Sequence, residues 1–139
     1  MLRRPLLLLA ALAYAAVAFA QTPGDPIPAG APTLTGRAAQ ESAPARAFAG
    51  LLEAAAKNDF AAIRPMLVEG HPGSRLLNPA DFPRVKAELL PNDVPPAIVI
   101  ATLSALYLQN DDAILVFGVK TGRTIWKMKR QTGSWKLSP

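Results

Sequence analysis

Residues 113–137 read AILVFGVKTGRTIWKMKRQTGSWKL, and their period of two decides the fold. Large apolar side chains alternate with polar or cationic ones, as they do along strands that lay one face on a core. Thr121-Gly122 and Thr132-Gly133 mark turns, and Asn110-Asp111 marks another just upstream. Four strands are therefore predicted, over residues 97–108, 113–119, 123–130 and 134–137, joined as an antiparallel meander. Even-length loops pair Phe117 with Trp126, Leu115 with Met128, Met128 with Leu137 and Arg130 with Trp135. They also set Leu106 and Leu108 beside Leu115 and Ala113. These pairings agree on one apolar face: Leu106, Leu108, Leu115, Phe117, Trp126, Met128, Trp135 and Leu137. A slip of one residue would put Lys127 opposite Leu115, so the face is strongly specified. A β-branched Thr is unfavourable at the positive φ of a tight turn, so four-residue loops or some backbone strain are expected. The opposite face carries Tyr107, Ile114, Val116, Ile125, Lys127, Lys129 and Lys136.

Working upstream, the period changes. Phe48, Leu51, Leu52 and Ala55 fall at i, i+3, i+4 and i+7, one stripe of a helix over residues 42–58. Ser42 is its predicted N-cap, and Pro44 falls in the first turn, where a missing N–H costs nothing. Glu53 and Lys57 form an i,i+4 pair worth a few tenths of a kcal/mol. Asn58-Asp59 breaks this helix, and Asp59 caps a second one reaching residue 67, which Pro65 keeps short or kinked. Residues 68–77 read as irregular, a third helix starts at Asn78 or Asp81 and stops before Pro91, and residues 92–96 read as a loop. Helices followed by a meander define an α+β fold, with N-terminal helices packed on a four-stranded antiparallel sheet.

The N-terminal 40 residues are of another kind. Arg3-Arg4, the apolar run at 6–18 and Ala18-Phe19-Ala20 have the layout of a signal peptide cleaved before Gln21. That run is shorter than the ~20 residues that span a bilayer. An exported protein of bacterial type, periplasmic or secreted, is expected. Residues 21–40 are rich in Pro, Gly and Ala without hydrophobic period, and are predicted to be a flexible spacer. The folded domain is expected over 41–139, within a chain of 139 residues. Of its 15 basic residues two lie in the leader, so against 10 acidic residues the mature chain keeps a net charge of +3. That excess is too small to suggest a nucleic-acid partner. Absence of cysteine excludes disulfides, thiol nucleophiles and thiolate metal sites. No Walker, dinucleotide, zinc or nucleophile-elbow pattern occurs, so no cofactor or metal is expected.

Two stretches carry a family likeness. FAGLLEAAAKNDFAAIRPML at 48–67 and TIWKMKRQTGSWKLS at 124–138 resemble the opening helices and the final hairpin of the nuclear transport factor two-like (SnoaL-like) superfamily. The middle of the chain departs from it, since residues 70–77 hold at most a vestigial first strand. The resemblance implies a cystatin-like cone: a curved sheet wrapped on helices with a pocket at its open end. It also implies a range of roles, from isomerase- and dehydratase-like enzymes to pocket-bearing or dimerising proteins without chemistry.

Candidate site residues are few. His71 is the sole imidazole; as a general base it would need a carboxylate and a water-poor pocket, and an exposed loop position is the expectation. The resemblance makes Asp59 a candidate acid–base carboxylate and Tyr107 a candidate hydrogen-bond donor into a pocket. Helix capping and sheet packing account for both without chemistry. Asp111 and Asp112 read as a solvated turn, and Trp126 and Trp135, able to stack a ligand, as core. After Asp112 no acid occurs, against Lys120, Arg123, Lys127, Lys129, Arg130 and Lys136. The register sets Lys129 opposite Lys136, a repulsion that an anionic envelope surface or acidic partner would relieve. Edge protection against sheet aggregation is the simpler reading of those lysines. The expected function is a non-catalytic module binding a small apolar ligand or a protein. The alternatives are an isomerase- or dehydratase-type enzyme using Asp59 and Tyr107, and an envelope-binding protein using Lys127, Lys129 and Lys136.

Overall fold

The computed structural model describes residues 27–118 and 122–139; the proposed leader and the first part of the spacer lie outside them. Strand β1 (Leu34–Thr35) leads into helices α1 (Gly36–Gln40), α2 (Ala43–Ala56), α3 (Phe60–Ile63), α4 (Phe82–Leu89) and α5 (Pro96–Ala101). Strands β2 (Leu103–Gln109), β3 (Asp112–Phe117), β4 (Thr124–Gln131) and β5 (Ser134–Ser138) follow. All five strands form one open antiparallel sheet in sequence order, with the helices packed on one side. None of the helices is long and apolar enough to cross a membrane among the described residues.

Both predicted N-caps form, whereas the predicted Glu53–Lys57 pair does not: neither side chain makes an ion pair or hydrogen bond with a described residue. The Ser42 hydroxyl accepts from the Ala45 amide, and Asp59 accepts from Ala62 at the start of α3. Pro65 ends the α-helical geometry of that second segment, which continues as a single 3-10 turn, Arg64–Met66. Asn58 takes a φ of +53° just past α2, an αL stop in which the Asp59 amide reaches back to Ala54. Lys86 donates to the Ala56 carbonyl and so offsets the negative end of α2. Phe48, Leu51, Leu52 and Ala55 are all fully buried, against the inner residues of the sheet.

Among the described residues the sheet has five strands rather than four. Thr33 and Leu34, assigned to the spacer, reach the edge of β2: Leu34 pairs with Leu106 and turns its side chain to the core. Two residues carry no readable period, which is why the pattern missed them. Helix α1 also comes from the spacer stretch, and Ala39 on it is fully buried. Gln40 holds it in place by donating to the carbonyls of Ala101 and Leu103.

Residues 97–101 are helical, not the start of a strand. Pro95 and Pro96 preset the first helical turn, and Val99 and Ile100 then pack on the core while Ile98 is left 55% exposed. Burial of two large side chains against α2 outweighs the modest strand preference of a β-branched run.

The register agrees at two of the three hairpins. Leu106 faces Leu115, Met128 faces Leu137 and Arg130 faces Trp135. At the β3–β4 turn Trp126 faces Leu115, not Phe117, and Phe117 faces Thr124. This shift of two residues keeps every side chain on its face, so the apolar pattern could not exclude it. Leu108 lies on the inner side but is 38% exposed, and Trp135 is half-buried at the same margin, where the guanidinium of Arg130 sits 5.6 Å from its ring centroid. Between β4 and β5 the chain turns in two residues with Thr132 at φ +50°, so strain is the outcome there and not a longer loop.

Candidate functional site

At one end of the sheet the core opens into a cleft of about 320 Å³. Its walls come from the end of α4 (Leu89), the stretch after it (Val94), and the outer turn of α5 (Ile98, Val99). Phe117 and Trp126 make the floor, almost wholly buried, with Phe48 behind them at ring-centroid distances of 5.2 and 5.6 Å. The floor rings are therefore backed directly by Phe48 from α2. Polar groups stand at the rim: Glu88, Asn92, Thr102 and Thr124. The Thr102 hydroxyl is spent on the Val99 carbonyl at 2.6 Å. Glu88, Asn92 and Thr124 make no side-chain hydrogen bond with described residues.

Gly118 shapes the cleft at the end of β3. Its φ is +83°, its amide donates to the Thr102 carbonyl at 2.7 Å, and a Cβ there would lie 2.6 Å from the Gly122 carbonyl oxygen. That contact sets a Cβ against backbone and cannot be relieved by a rotamer change. Gly118→Ala is expected to cost about 2 kcal/mol, read as a lower urea midpoint, from left-handed strain plus displacement of the Gly122 backbone. A stability equal to the parent's would show that this close approach is not needed.

The predicted site residues are scattered. Asp59 is exposed and engaged as a helix cap. Tyr107 is half-buried, on the sheet face that points away from the cleft. The two do not share a cavity. His71 is not in an exposed loop: it is 2% exposed, and its Nδ1 accepts from the Gly73 amide at 2.8 Å to start the 3-10 turn Pro72–Leu76. Burial lowers its pKa from the usual 6.5 to about 4. A Gly-His-Pro-Gly stretch reads as solvated from composition alone, and only packing against the core buries it. Lys129 stands opposite Lys136 as predicted, with Lys127 one position along on the same outer face. Asp111, in the β2–β3 turn, is held at 2.8 Å by Arg130 from the neighbouring strand β4, and Asp112 lies opposite Lys129. Among the described residues no group of three or more His, Asp or Glu could hold a metal.

The cleft walls from α5 were missed because residues 97–101 read as strand. The Pro95-Pro96 pair was the available signal. A search of family models, of curated proteins and of solved structures finds no match to this chain.

Proposed function

We propose that this protein is a non-catalytic binding module, exported by way of the leader at 1–20, that holds a small apolar ligand in the Phe117–Trp126 cleft. The same proposal takes the fold as a cone of the nuclear transport factor two-like type, with the cleft as its open end. The lining carries the reading: aromatic and aliphatic side chains make floor and walls, and Glu88 at the rim is the one ionisable group among the described lining residues. A volume of about 320 Å³ falls at the small end of ligand sites. Apolar ligand surface buried there contributes ~25 cal/mol per Å², set against the cost of immobilising the ligand. Tighter binding requires the rim groups Asn92 and Thr124. The isomerase-type alternative is not favoured, since Asp59 is exposed at a helix start and Tyr107 faces away from the cleft.

The neutral fluorophore N-phenyl-1-naphthylamine serves as probe. Saturable enhancement of its emission, with quenching of tryptophan emission, is expected. Ile98→Glu puts a charge at the mouth, on a side chain already largely exposed, and should weaken the probe at least tenfold with an unchanged melting temperature. Equal affinity in Ile98→Glu and parent would show that the probe binds elsewhere and that the cleft is not the site.

A further inference from the structure

A second concavity lies on the other side of the sheet. It is a groove of about 460 Å³ between the outer face and the Pro- and Ala-containing stretch at residues 28–33. That stretch is fixed to the sheet edge by two hydrogen bonds: the Thr33 amide donates to the Leu106 carbonyl at 2.8 Å, and Thr33 Oγ1 accepts from the Leu108 amide at 2.9 Å. One cross-strand row, Tyr107–Ile114–Lys127, contributes to the lining from β2, β3 and β4 in turn. Pro28 and Ala31 line it from the wall side.

Tyr107 and Lys127 are both half-buried. Neither makes a side-chain hydrogen bond or ion pair with any described residue. The next row of the outer face adds Lys129 and Lys136 directly opposite each other. Asp112 also lines the groove, opposite Lys129, and is the acid that faces this set. Three ammonium groups against one carboxylate leave the outer face cationic. A phenol donor and an ammonium beside the side chains of Ile114 and Pro28, in a lining of mixed polarity, suit an oxyanion carried on an organic body.

We infer that the groove binds an organic phosphate, with Lys127 and Tyr107 contacting the anion, Ile114 and Pro28 the organic body, and Lys129 and Lys136 supplying the attractive field. The ligand also relieves the Lys129–Lys136 repulsion, so the feature that makes the face unfavourable alone makes it receptive. A phosphate of this kind belongs either to a soluble metabolite or to a lipid headgroup.

Phenyl phosphate is the probe, followed by NMR on the amides of Tyr107, Ile114 and Lys127 at low salt. Saturable shifts are expected there, weakening as salt is raised. Lys127→Gln should weaken binding at least tenfold and Tyr107→Phe about threefold, both with unaltered melting temperature. N-phenyl-1-naphthylamine binding in the cleft should be unaffected, so failure at one concavity is readable apart from failure at the other. Competition by phosphatidylglycerol vesicles would assign the phosphate to a lipid headgroup, and its absence to a soluble ligand; either result supports the groove. The inference is overturned if Lys127→Gln binds phenyl phosphate as the parent does. It is equally overturned if phenyl phosphate leaves these amides unmoved while the vesicles still retain the protein, which would make the face a membrane contact without a ligand groove.

Discussion

Phe48→Ala should remove ~3–5 kcal/mol of folding stability, the usual cost of truncating a fully buried phenylalanine. Phe48 has no exposed surface and touches both floor rings of the cleft, Phe117 at 5.2 Å and Trp126 at 5.6 Å. Its loss forfeits transfer free energy, leaves a cavity under the sheet, and removes two tilted ring contacts worth about 0.5–1.5 kcal/mol each. A domain of this size has on the order of 5–10 kcal/mol in total, so the variant should be marginal at 37 °C. Phe48→Leu refills much of the space but also loses both ring contacts, and should cost about 1–3 kcal/mol, less than Phe48→Ala. Urea midpoints for the three proteins check this. A loss under 1 kcal/mol for Phe48→Ala would mean that α2 does not pack on the sheet as described.

The second large effect is in the acid range. His71 is buried with a pKa lowered to about 4, and its Nδ1 accepts a hydrogen bond, which assigns the proton of the neutral ring to Nε2. Protonation would put a second proton on Nδ1, facing the Gly73 N–H. Because the folded pKa lies below the unfolded 6.5, the unfolded chain binds more protons between those values. Stability is therefore full above about pH 6.5 and falls as pH drops towards 4, by up to ~3 kcal/mol. His71→Asn can keep the acceptor to Gly73 through Oδ1 but cannot titrate. Its stability should change less over the same range. Parallel curves from pH 7 to pH 4 would rule out His71 as the source of the acid sensitivity.

Parts of this were legible in residues and parts were not. The caps at Ser42 and Asp59 were readable because a cap is local, a side chain meeting an amide three residues away. The inner face of the sheet was readable because alternation fixes which side each residue takes. The β3–β4 pairing was not, since Trp126 opposite Leu115 and Trp126 opposite Phe117 satisfy the same alternation. Residues 97–101 were misread because a short apolar run has no period of its own. With them went the α5 wall of the cleft. The cationic row of Lys129 and Lys136 was foreseen from parity alone, whereas its association with a Pro- and Ala-walled groove needed the edge pairing of Thr33 and Leu34.

By itself the sequence determined the early helices after residue 41, the last four strands in their order, the starts of the first two helices, and the set of sheet side chains turned inward. These depend on periods and on contacts a few residues long. Only the tertiary structure decided that Leu34 adds a fifth strand, that His71 is buried, that Asp59 and Tyr107 stay apart, and that two concavities lie on opposite sides of one sheet. Each of those facts rests on which distant surfaces compete best for burial, and that competition is settled by the packing of the whole chain.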